Sequence, residues 1–165
     1  MANIAMHKER IMFGVNIPAN INACLQQAVA AYDTPELAES LLWQAQQLNP
    51  NQLEVYVALY KFYFYKNWIE EAQGAVFVAL KKSAELGSFN VDWNKLTPAS
   101  ADWFSHEPPQ RLYLYALKAL SFIRLRQSDV DGAENILTKL EELDPTDQVG
   151  GSVLRQLAQA MRDDE

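Results

Sequence analysis

Along most of this chain, apolar residues recur every three or four positions, the period of an amphipathic helix rather than the alternation of a strand. Residues 34–50 place Ala38, Leu42 and Ala45 on one such face. Thr34 is the expected N-cap there, Pro35 suits the first helical position because its missing N–H has no partner to lose, and Asn49-Pro50 is the stop. Residues 68–80 repeat the theme through Ala72 and Val76, and residues 128–145 repeat it through Ala133 and Leu137, closing at Pro145. Another apolar helical stretch precedes each of these, over residues 21–32, 53–65 and 111–126. The pattern predicts an all-α chain of paired helices.

The spacing is regular. Ala38 and Ala72 are 34 residues apart, and 12 residues separate Ala38 from Pro50 and Ala133 from Pro145. In this respect the chain resembles the tetratricopeptide repeat (TPR) family, whose 34-residue helix–turn–helix unit reads W-x2-L-G-x2-Y, then A-x3-F, then P. The second unit reads Tyr56-x2-Leu59-Tyr60-x2-Tyr63 and Ala72-x3-Val76, with Ala84 where Pro is usual. The first reads Asn22-x2-Leu25-Gln26-x2-Val29, Ala38-x3-Leu42 and Pro50, and the third Leu117-x2-Leu120-Ser121-x2-Arg124, Ala133-x3-Leu137 and Pro145. Gln26, Tyr60 and Ser121 replace the Gly of close helix approach, which is expected to hold the helix pairs further apart.

The resemblance implies a right-handed α-α superhelix of antiparallel helix pairs with a C-terminal capping helix. Its repeats would span about residues 19–52, 53–86 and 114–147, and its capping helix about 146–162, in a single domain over 17–162 after an N-terminal arm, 1–16. Ala38, Ala72 and Ala133 put a methyl where two backbones approach, and Leu42, Val76 and Leu137 fill the space one turn later.

From Ala72 to Ala133 is 61 residues, one repeat plus 27, and the excess falls over residues 87–110. A short helix from Thr97-Pro98 through Trp103 is expected there, with Pro108-Pro109 stiffening the return. A segment of this length is uncommon without a role, and its Phe89, Trp93, Trp103 and Phe104 are too apolar to leave in water. They either anchor the insertion on the repeats or, in Trp93, Trp103 and Phe104, form a lid over a groove.

Charge narrows the partners. Twenty-one acids against 14 bases repel phosphate backbones, so nucleic acid is not an expected partner, and no apolar run approaches the roughly 20 residues needed to cross a bilayer. Cys24 is the lone cysteine, and the N-terminus is interrupted by charge, so a reducing cytoplasm without membrane contact is expected. His7 and His106 are 99 residues apart without zinc-like spacing, and the six glycines are scattered rather than forming a phosphate loop. Neither a cofactor, a metal nor catalysis is expected.

In the TPR family the first helix of each pair lines a concave face that receives a peptide or partner helix. Carried over to this sequence, that face comprises Gln27 from the first unit, Lys61, Phe64 and Tyr65 from the second, and Tyr115, Lys118, Phe122 and Arg126 from the third. Aromatics beside cations suit a protein or peptide partner with apolar residues and carboxylates. The carboxylate clamp of chaperone-tail binders is missing, because Ala23, Gln27, Ala58, Tyr115 and Ala119 occupy its places. The expected function is therefore a non-catalytic adaptor, assembly factor or chaperone. Alternatives are a type III secretion-type TPR chaperone, with Ile11-Met12-Phe13 as an apolar contact, and a structural subunit that self-associates into a homodimer.

Overall fold

The computed structural model of the protein describes residues 17–165; the expected arm, with Ile11-Met12-Phe13, lies outside them. Among the described residues the regular elements are all helical: α1 (Ala19–Ala30), α2 (Pro35–Leu48), α3 (Leu53–Tyr65), α4 (Ile69–Gly87), a 3-10 turn (Trp93–Lys95), α5 (Pro108–Arg126), α6 (Val130–Leu143) and α7 (Gly151–Asp163). They divide into two compact units, one through Ala75 and one from Val76, with the boundary inside α4.

In the first unit α2 packs on both α1 and α3. Ile21, Leu25 and Ala28 of α1 meet the face of α2 built from Ala38, Leu42 and Ala45, and all six are buried. Ala38, Ala45 and Ala72 have no solvent exposure, as close helix approach demands. Pro35 takes the first helical position as expected, but the Thr34 side chain makes no capping hydrogen bond. The turn from α2 into α3 is closed instead by Tyr56, whose hydroxyl donates to the Pro50 carbonyl at 2.6 Å and accepts from Gln46 Nε2 at 3.3 Å. Phe62 stands edge-on to Tyr32 and Trp68, with ring centroids 6.3 and 6.0 Å away. A notch of about 20 Å³ lined by Leu25, Ala28, Leu42, Ala58 and Phe62, among others, is left between the three helices.

The second unit repeats the scheme with α5 on α6, and α7 packs against both. Ala133, Leu137, Leu117, Leu120 and Ile123 are fully buried. Ser121, at a place where the repeat pattern favours Gly, is buried too; its hydroxyl donates back to the Lys118 carbonyl at 2.7 Å, so the polar group is satisfied within its own helix.

The two helix–turn–helix junctions at the ends of α3 and α5 are the same structure. Asn67 and Ser128, 61 residues apart, both adopt left-handed backbone with φ of 62°. In the first, Asn67 N–H reaches Phe64 O and Trp68 N–H reaches Tyr63 O at 2.9 Å each; in the second, Ser128 N–H reaches Leu125 O at 3.0 Å and Asp129 N–H reaches Arg124 O at 2.8 Å. This paired pattern satisfies the last carbonyls of a helix and favours Gly at the left-handed position. Ser has no special tolerance for that conformation, so Ser128→Gly is expected to stabilise the protein by up to about 1 kcal/mol, and Asn67→Gly by less. Urea denaturation measures both; Ser128→Gly unfolding at lower urea than the parent would contradict it.

Helix α6 begins with Asp129, whose Oδ1 accepts the Gly132 N–H at 2.9 Å. A Cβ on Gly132 would come within 2.2 Å of Asp129 Oδ2, so the glycine makes room for the cap. Helix α7 starts at Gly151, later than the expected 146, because Asp144 is buried and binds the N–H groups of Gln148 and Val149 at 2.9 and 3.0 Å, which shapes a turn first. Gly150, at φ 77°, then redirects the chain into the helix. Leu154 and Ala158 bury the inner face of α7, whereas Val153 and Leu157 stay exposed. Arg155 Nε holds Glu141 at 2.6 Å, and Arg162 holds Glu134 at 2.7 Å together with Asp131.

The insertion departs most from expectation. The 97–103 stretch forms turns rather than a helix: Thr97 N–H donates to Ser100 Oγ at 2.9 Å, and Ala99 N–H donates to Thr97 Oγ1 at 3.2 Å. These side chains offer the backbone partners that a helix would otherwise supply. The regular piece is the 3-10 turn, which Asp92 caps by accepting the Asn94 N–H at 3.0 Å. Pro108 and Pro109 form the first turn of α5 instead of a linker.

Candidate partner-binding faces

Helix α3 carries the first face. Lys61, Phe64 and Tyr65 are spaced i, i+3 and i+4, so they share one side, and each is half-buried. Gln27, on α1, is exposed. The Tyr65 carbonyl accepts the Tyr32 hydroxyl at 3.3 Å, and the Lys66 ammonium stands 3.7 Å above the Tyr32 ring. Sequence reasoning missed this cation–π pair, because its partners lie 34 positions apart with no local signal.

Behind the face, Tyr63 is buried as expected. Its hydroxyl accepts from Trp43 Nε1 at 3.1 Å. Burial, followed by hydrogen bonding to Glu39, pushes its pKa up from 10.0 to about 12. Because the folded state favours the neutral phenol, this contribution to stability is complete below pH 10 and is lost as pH rises toward 12. The melting temperature is therefore expected to fall across that window, and to fall less in Tyr63→Phe. An equal fall in both, followed by calorimetry, would remove Tyr63 as a cause.

Helix α5 carries the second face. Tyr115, Lys118 and Phe122 are half-buried and Arg126 is exposed, at i, i+3, i+7 and i+11 along one stripe. Arg111 extends it: Nη2 donates to the Tyr115 hydroxyl at 3.3 Å, and the guanidinium carbon is 5.3 Å from that ring's centre. Its place four residues before Tyr115 is the signal that would have found it. His106 Nδ1 lies 3.4 Å from Arg111 Nη1.

Lys118 sits beside the turn into α7, where a Cβ on Gly150 would be 3.3 Å from its Nζ. There the Asp147 carboxyl is held below its usual range, first by hydrogen bonds from the Ser152 hydroxyl and N–H, and then by the charge of Lys118. Lys118 thus ties the face to the start of α7 as well as presenting a cation.

The insertion aromatics separate into different roles. Trp103 is 3% exposed, donates from Nε1 to the Thr97 carbonyl at 3.0 Å, and packs with Phe89 and Tyr113 at centroid distances of 5.0 and 6.0 Å. It anchors the insertion. Phe104, next to it, is 57% exposed. Trp93 is half-buried and donates to Asn135 Oδ1 at 3.3 Å, which fixes the 3-10 turn to α6. Tyr113, whose pKa burial drives well upward, donates to the Val91 carbonyl at 2.7 Å, and Lys139 Nζ donates to the Leu96 carbonyl at 2.6 Å.

An open polar cleft of about 450 Å³ lies along α6 beside Asn94. Its charges are matched internally, Asp131 and Glu134 by Arg162 and Glu142 by Lys139 at 2.9 Å. Among the described residues no group of three or more His, Cys, Asp or Glu is placed to hold a metal ion, and no helix is long and apolar enough to cross a membrane.

No family model matches the sequence, and no solved structure matches it. A curated relative is similar. It is an uncharacterized 19.8 kDa protein in the nifW 5′ region of Azotobacter chroococcum mcd 1, 29% identical over 122 residues that cover 71% of this chain and 67% of that protein.

Proposed function

We propose that this protein is a non-catalytic interaction module of TPR-like helix pairs, which binds a peptide or partner protein through the faces of α3 and α5. The observation that carries this reading is the duplicated junction: Asn67 and Ser128 turn the chain identically, each five residues before an unexposed Ala, Ala72 or Ala133. Helix pairs built alike present their first helices alike, and both first helices place aromatics and cations on one stripe. The partner combines apolar anchors with carboxylates, which Tyr115 and Phe122 would cover and Lys61, Lys118 and Arg126 would orient. Proteins encoded beside the relative from the nifW 5′ region are the first in which to seek it.

The test is calorimetric titration of an identified partner into the parent and into the Lys61→Ala, Lys118→Ala, Arg126→Ala triple variant. Each rim cation contributes modestly, so an affinity loss of about tenfold, with stronger salt dependence in the parent, is expected. Unchanged affinity in the triple variant would place the binding site elsewhere. A self-associating subunit is a second reading, favoured by Val153 and Leu157, 64% and 40% exposed on the terminal helix. Concentration-independent monomer in sedimentation velocity would remove it.

A further inference from the structure

The outer side of α2 carries a feature that the faces of α3 and α5 leave unused. Leu37, Leu41 and Leu48 recur at i, i+4 and i+11 with Gln44 between them, so at about 100° per residue they fall within an arc of roughly 40°. This stripe lies beside, not on, the face of Ala38, Leu42 and Ala45 that packs into the unit. Leu37 and Leu48 are 51% and 47% exposed, and Leu41 is half-buried. Single exposed leucines are ordinary, but three in line along three turns of one helix form a continuous apolar strip.

The electrostatic setting is one-sided. Residues 17–60 contain no Lys, Arg or His, and they contain Asp33, Glu36, Glu39 and Glu54. Two of these acids are occupied within the unit: Glu39 bonds the Tyr63 hydroxyl, and Glu54 accepts from Gln52. Asp33 and Glu36 are exposed at the N-terminal end of the strip, Glu36 in the first turn of α2. A second copy of this chain docked on the strip would bring two base-free acidic surfaces together, and an anionic lipid surface would be repelled for the same reason.

We propose that the Leu37–Leu41–Leu48 strip of α2 is a second docking surface, whose occupant is an amphipathic helix of a partner protein with Lys or Arg flanking its apolar stripe. The apolar residues of such a helix, at i, i+4, i+7 and i+11, match the strip in period. Its cations meet Asp33 and Glu36 in an environment without a competing base.

The experiment titrates the full-length protein into two fluorescently labelled helical peptides of equal length, both with Leu at those spacings, one flanked by Lys and the other by Glu at the same positions. Saturable binding of the Lys peptide alone is expected, weakening as salt rises. Leu37→Ser and Leu48→Ser are each expected to reduce its affinity about tenfold, from the lost burial of one leucine, with no change in melting temperature because both side chains are already exposed. Glu36→Gln is expected to weaken the Lys peptide and flatten its salt dependence. Equal binding of the Glu peptide, or leucine variants that bind like the parent, would overturn the proposal. So would a dimer in sedimentation equilibrium that the same leucine substitutions disperse, since that result assigns the strip to a second copy.

Discussion

Trp103→Ala is expected to destabilise the protein by about 3–5 kcal/mol, the cost of removing a large buried aromatic whose site does not fully collapse. Trp103 is 3% exposed and lies against Phe89 and Tyr113, so truncation removes two ring contacts and frees the Thr97 carbonyl from its 3.0 Å hydrogen bond. The insertion is vulnerable because it holds little regular structure of its own. Its backbone is fixed at Val91 by Tyr113, at Leu96 by Lys139 and at Thr97 by Trp103. Gly87 shows how tightly the cluster is set, since a Cβ there would fall 2.3 Å from Phe89 Cε1 and 3.1 Å from Pro109 Cβ. Chemical denaturation measures the effect, and limited proteolysis localises it by faster cleavage within residues 88–107. A Trp103→Ala variant that unfolds at the parent's denaturant midpoint would show that the aromatic cluster does not anchor the insertion.

Leu137→Ala is the second large effect, a loss of about 2–5 kcal/mol, and Leu42→Ala is expected to fall in the same range. The two leucines hold the same place, four residues after Ala38 and Ala133, and their exposures are 5% and 0%. Each fills the gap one turn beyond a close backbone approach, so the cavity left by truncation is bounded by two helices that their alanine contacts already hold close. Leu137→Met conserves most of the volume and should cost less than about 1.5 kcal/mol. Equilibrium unfolding distinguishes these outcomes. A Leu137→Ala loss no greater than that of Leu137→Met would mean that the A-x3-L pattern does not mark equivalent core positions.

The helix pairs were legible because their signals are local. Residues 53–65 match α3 at both ends, and Asn49-Pro50 ends α2, since amphipathic period, caps and stop signals all lie within a few residues of the structure they determine. Helix α4 runs to Gly87, beyond the expected end at residue 80, because Ser83, Ala84 and Leu80 continue its buried side until the left-handed Ser88 stops it. The candidate faces were legible in part. Lys61, Phe64, Tyr65, Tyr115, Lys118, Phe122 and Arg126 all retain some exposure on α3 or α5, but the second role of Lys118 beside Asp147 depends on a turn 30 residues away.

By itself, then, the sequence determined the helical class, the pairing of helices and the identity of the tight contacts at Ala38, Ala72 and Ala133. Hydrophobic period and residue size are properties of contiguous segments, and they act before any distant contact forms. Only the tertiary structure decided the conformation of the insertion, the burial of Trp103 beside an exposed Phe104, the late start of α7 and the apolar strip left open on α2. Each of these turns on hydrogen bonds or packing between residues far apart in the chain, such as Lys139 with the Leu96 carbonyl, where the local sequence is compatible with several backbone paths and a distant partner selects one.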